Sequence, residues 1–162
     1  MNKRVILFFI IFFIIFNLYA QKIAPLLEIR NKFFEESNNI KGLLSTSKDP
    51  GIIINLWNSC MTTVLQLNAY FYMLNIFDAV KSGVLNDDPT MYLSMWLKEI
   101  KNVNQLNIKN LEDTTKNITE VTTKTYVDKI KGYYIELNKK IDGELVKLGA
   151  LRQILPIKNK RK

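Results

Sequence analysis

The sequence predicts an all-α protein: an up-down bundle of three to four helices behind an N-terminal signal peptide. Three observations carry this. From Gly51 to Phe77 there is no charged side chain, yet Ile53, Leu56, Trp57, Cys60, Met61, Val64, Leu67, Phe71 and Leu74 recur three and four apart, the period of one helical face. Near the C-terminus, Val127, Ile130, Tyr134, Leu137, Ile141, Leu148, Leu151 and Leu155 form a heptad seam. Only Glu144 breaks it, and Leu145 stands beside that position as a substitute. Finally, six Gly and four Pro in 162 residues are too few turns for a β fold of many short strands.

Taken in order, the chain opens on Lys3 and Arg4, followed by an unbroken apolar run, Val5 to Phe16, and then Asn17-Leu18-Tyr19-Ala20. This is the layout of a secretory signal peptide with cleavage after Ala20, although Leu18 stands where a small residue is preferred. The run is shorter than the span of about 20 residues that a transmembrane helix needs, and an uncleaved N-terminal anchor is the alternative. The organisation expected is a signal peptide at 1–20, a bundle domain at 21–157 and a basic tail at 158–162.

In the first helix of the domain, Ile23, Leu26, Leu27, Phe33, Phe34, Ile40, Leu43 and Leu44 are expected on the inner stripe, with Glu28, Lys32, Glu35, Glu36 and Lys41 outside. Asp49-Pro50 reads as a cap followed by a first-turn proline, which starts the uncharged helix. Because that helix shows no charge on any side, it is expected to lie at the centre of the bundle and be covered on most sides. Lys81 and Gly83 suit its end, and Asp88-Pro89 repeats the start signal. The third helix is expected to turn Leu93, Trp96, Leu97, Ile100, Val103, Leu106 and Leu111 inward. Thr114 to Thr125 holds six threonines, whose β-branched side chains lose rotamer freedom in a helix; either a turn or a bent stretch is expected there. Gly132, Gly143 and Gly149 in the last helix either weaken it or mark close helix approaches.

Composition excludes several kinds of chemistry. The chain has no histidine, which removes the commonest general base and metal ligand. Its one cysteine, Cys60, lies on an apolar helical face with no His to activate it, so it reads as a small buried hydrophobe. The adjacent acids Glu35/Glu36 and Glu112/Asp113 diverge by about 100° on a helix and cannot converge on a substrate; they are expected in solvent. No metal, cofactor or catalytic residue is expected, and the protein is not expected to be an enzyme.

Two surfaces stand out. Tyr70, Phe71, Tyr72 and Phe77 near the end of the second helix should face Tyr92 and Trp96 near the start of the third, as core or as a groove for an apolar ligand or partner. The net charge of +8 is concentrated in the last helix and tail, where Lys139, Lys140, Lys147, Arg152, Lys158, Lys160, Arg161 and Lys162 could meet an anionic partner such as a membrane surface. The uncharged polar residues Asn55, Asn58, Ser59, Thr62, Thr63 and Gln66 could line a channel, pair with a neighbouring helix or face water. The function expected is that of an exported, non-enzymatic interaction or structural protein of the cell envelope, periplasmic or at the cell surface. Its partners would be an envelope protein, a second copy through the 127–155 seam or an anionic membrane, with no nucleic acid. A carrier of lipid or another apolar ligand, and an inner-membrane-anchored protein, are the alternatives.

Overall fold

A computed structural model describes residues 24–80 and 89–154, with side chains for 24–77 and 89–149. The expected signal peptide, the expected capping residues Lys81, Gly83 and Asp88 and the tail 158–162 lie outside them. The described residues form four helices and no strand: α1 (24–42), α2 (Pro50–Val80), α3 (Pro89–Thr115) and α4 (Val121–Ile154). At 1.5 Å per residue, α2 and α4 run about 45 and 50 Å.

Cross-helix bonds fix the directions. Along α1, Glu28 meets Lys140 and Lys32 meets Glu136, while Glu36 meets Lys129, so α1 and α4 are antiparallel. The pair Arg30–Asn68 sets α2 antiparallel to α1, and Trp96 reaching Gln66 does the same for α3 against α2. Lys101–Asp142 and Glu112–Lys131 complete the circuit between α3 and α4. The result is an up-down-up-down bundle.

Local sequence explains the helix ends. The Asp49 carbonyl accepts from the amides of Ile52 and Ile53, which places Asp49 at the cap ahead of Pro50. The threonine-rich stretch resolves into a turn at 116–120, so the bundle has four helices rather than three. Thr114, Thr115 and Thr125 stay helical by donating their hydroxyls to the carbonyls four residues back. Glu120 ties the turn to the α1–α2 connection: its carboxylate accepts from Thr123 at 2.6 Å and from Ser47 at 2.8 Å.

The core is assembled from one stripe of each helix. From α4 come Val127, Ile130, Tyr134, Leu137, Ile141 and Leu148, and from α2 Ile53, Leu56, Cys60, Val64, Leu67, Tyr70 and Leu74. The seam of α4 from Val127 to Leu148 therefore faces the chain's own interior. Glu144 keeps its seam position, buried beside Lys147, and half-buried Leu145 packs against the core next to it. Gly132, Gly143 and Gly149 have open space where a Cβ would stand and mark no close approach.

Three expectations need correction. In α1 the buried stripe includes Ile29 and also Glu36 and Ser37, while Leu27 and Phe34 are exposed. In α3 Trp96 and Leu106 point outward, and Asn104 is buried instead. The α2 helix is not enclosed: Ile54, Leu65, Tyr72 and Ile76 are exposed on one outer line. Its lack of charge therefore reflects an outer face of amides, hydroxyls and apolar side chains, and not cover on all sides.

Candidate functional site

Where α2 faces α3, the amides and hydroxyls of α2 line a cleft of about 600 Å³. Asn55, Asn58, Ser59 and Thr62 stand on one wall, and Asn107, Asn110 and Thr114 on the other. Helical spacing alone brings them together, because residues three and four apart on two antiparallel helices share a seam. Beneath this seam lies Tyr134, whose hydroxyl is 3.2 Å from that of Thr63 and also bonds Ser59 and Asn107. Burial pushes the Tyr134 phenol well above its ordinary range, so it stays protonated. Ile52, Leu56, Val103 and Leu111 also line it, so polar and apolar surface share the cleft. The Cys60 thiol, also buried, is pushed up to about 12 by burial and by nearby Glu36. At neutral pH it is not a nucleophile.

The Glu35/Glu36 pair separates as helical geometry requires, but Glu36 is buried and not solvated. One of its oxygens pairs with Lys129; the other, Oε1, is buried with no hydrogen-bond partner. The bond to Glu36 holds the Lys129 ammonium above its ordinary range. The local pattern of α1 already points to this, since Glu36 stands three residues after Phe33 and four before Ile40, both on the inner stripe. Among the described residues, no group of three His, Cys, Asp or Glu side chains could hold a metal ion.

The aromatic residues divide by direction. Tyr70 is buried, Phe71 is half-buried and Tyr72 is 69% exposed. Phe77 and Tyr92 stack with centroids 6.4 Å apart, so the two helices do meet there. Trp96 donates its indole N–H to the Gln66 carbonyl at 3.1 Å and leaves a ring edge in solvent. Phe77, Tyr92 and Trp96 thus lie where α2 and α3 meet. Of the cations, Lys140 bridges Glu28 and Glu136, and Lys147 pairs with Glu144. Lys139 is exposed, while the side chain of Arg152 and the residues Lys158, Lys160, Arg161 and Lys162 lie outside the described set.

Among the described residues, no helix is long and apolar enough to cross a membrane. No protein family, curated protein or solved structure matches the chain.

Proposed function

We propose that this chain is an exported, non-enzymatic binding protein of the cell envelope, which works through its surface rather than through an interior site. The observation that carries this reading is the outer face of α2 and the bundle end beside it, where Leu65, Tyr72, Ile76 and Met95 stand exposed. Large apolar side chains collected on one side are the usual mark of an interaction surface. The layout of residues 1–20 supplies the route, since a positive start, an apolar run and a terminal Ala20 address a chain for export. The interior offers nothing comparable: its one thiol is inert and its deepest phenol is hydrogen-bonded in place.

The test is to recover the protein from fractionated cells, sequence its N-terminus and photo-crosslink from a reactive residue placed at Tyr72. The expected result is a chain beginning at Gln21 in the envelope fraction, crosslinked to an envelope component. An intact chain in the cytosol would overturn the reading.

A further inference from the structure

The outer side of α2 carries a second apolar line, opposite the one that builds the core. Its members Ile54, Leu65, Tyr72 and Ile76 are 45% to 69% exposed. They stand eleven, seven and four residues apart, each close to a whole number of helical turns, so they share one side of the helix. Half-buried Met61 falls on the same line, seven residues from Ile54 and four from Leu65. From Ile54 to Ile76 the line runs about 33 Å at 1.5 Å per residue. It is also balanced about its middle, since Leu65 lies eleven residues from Ile54 and eleven from Ile76.

The charge around this line decides what can cover it. No charged residue occurs from Gly51 to Phe77, in a chain that carries 23 cations and 15 acids. A charged surface laid on α2 would lose water from its ions and find nothing there to pair with them. The chain's other exposed apolar side chains do not escape this: Ile135 on α4 stands one turn from both Lys131 and Lys139. A second α2 meets the first without opposing a charge, and it matches in length and spacing. Pairing two copies by a twofold axis at Leu65 is isologous and closes on itself. With the helices antiparallel, Ile54 faces Ile76 of the second copy and the Asn58 amide faces the Tyr72 phenol of the second copy. Helix ends of opposite partial charge also come together. The α1 cation beside the line, Arg30, bonds Asn68 and lies 5.2 Å over the Phe34 ring, which holds it within its own copy.

We propose that the outer line of α2, from Ile54 to Ile76, is a dimerisation face, and that its occupant is α2 of a second copy crossing antiparallel at Leu65. This names the partner of the binding surface and rests on the envelope reading above. A strip one helix wide lies at the small end of specific interfaces, below about 1,200 Å² of total buried surface, where association is weak and transient. The dimer therefore forms on concentration and dissociates on dilution, so the dilute chain of an unfolding measurement is monomeric.

The experiment places Leu65→Cys in the full chain, produced in cells, and oxidises the extract with copper–phenanthroline before non-reducing electrophoresis. The parent protein is the blank, because its one cysteine, Cys60, is buried. Ile135→Cys is the matched control: position 135 is 54% exposed, against 62% at position 65, and lies on α4. The expected result is a disulfide-linked band of twice the chain mass, about tenfold stronger for Leu65→Cys than for Ile135→Cys, since only Cβ atoms within about 4.5 Å bridge readily. Mixed Asn58→Cys and Tyr72→Cys chains, one of them tagged, should join to each other and not to themselves, as antiparallel crossing requires. In sedimentation velocity, Leu65→Glu sets two carboxylates against each other and should abolish the concentration-dependent dimer, while Ile135→Glu keeps it. Both positions are exposed, so the fold should tolerate either change, and far-ultraviolet circular dichroism checks that it does.

Equal crosslinking at positions 65 and 135, a Leu65→Glu chain that dimerises like its parent, Tyr72→Cys chains that join to themselves, or a bridge from Leu65→Cys to a different protein would each overturn the proposal. Failure here is separable from failure of the envelope reading. A processed envelope protein that stays monomeric sinks the dimer alone. An unprocessed cytosolic chain that still bridges through Leu65→Cys sinks export alone.

Discussion

The two longest helices, α2 and α4, have little charge chemistry in common. Between Val121 and Ile154 there are eleven charged side chains, while between Pro50 and Phe77 there are none. Yet their inner faces are equivalent: Leu56 and Leu67 on α2 are as deeply buried as Ile130 and Leu137 on α4. Apart from Glu144, buried in the α4 seam, the difference lies outside. The α4 helix is held to α1 by Lys129–Glu36, Lys140–Glu28 and Lys32–Glu136, while α2 meets its neighbours through amides and hydroxyls. Charge therefore reports what a helix does with its outer surface, and the inner stripe alone reports how deeply it packs.

The sharpest test of this equivalence is truncation on both inner faces. Leu56→Ala in α2 and Leu137→Ala in α4 should each cost about 2–5 kcal/mol in urea unfolding, the range for a buried leucine. A small cost at Leu56 alone would show that α2 packs loosely and would break the comparison.

The next effect sits on α4's charged side. Lys129→Met strands the buried Glu36 carboxylate and should cost about 2–3 kcal/mol. Adding Glu36→Met should restore most of it, since a buried pair replaced by apolar side chains is often neutral. If the double variant were no more stable than the single, the pair would be holding more than itself in place.

On α2's polar side, Thr63→Val removes one partner of the Tyr134 hydroxyl and should cost about 1 kcal/mol. Of similar size and opposite sign, Gly143→Ala in α4 should stabilise by about 0.4–1 kcal/mol, because the position is helical and open. The α3–α4 turn adds a pH dependence. Hydrogen bonds from Thr123 and Ser47, then the Lys48 amide, hold the Glu120 carboxyl below its usual 4.5. A lowered carboxylate contributes stability that is present above pH 4.5 and is lost as pH falls through the folded value. Thermal unfolding of Glu120→Gln should accordingly show a shallower loss between pH 5 and pH 3 than the parent protein. Smallest of all, Leu65→Gln on α2 and Lys139→Gln on α4 should each change stability by no more than about 0.5 kcal/mol.

The helical class, the inner stripe of α2 and the seam from Val127 to Leu148 were legible in the sequence, because one buried stripe at a 3.6-residue period leaves a repeating mark. The Asp49-Pro50 start was legible too, being local chemistry. Less so were the side chains whose placement depends on a neighbour. Glu36 looked solvated because nothing in α1 says that Lys129 waits across the interface. Leu106 and Trp96 looked internal because an apolar residue beside a stripe cannot be told from one within it. Asn104 was missed for the opposite reason: its partner Asn138 lies 34 residues away.

By itself, then, the sequence determined the helices, their inner stripes and the distribution of charge along the chain, since each depends on neighbours within a turn or two. Tertiary structure alone decided the outer side of α2, the cleft against α3 and the partner of buried Glu36. Those follow from the register between antiparallel helices, which is set by packing and by ion pairs across as many as 112 residues of chain.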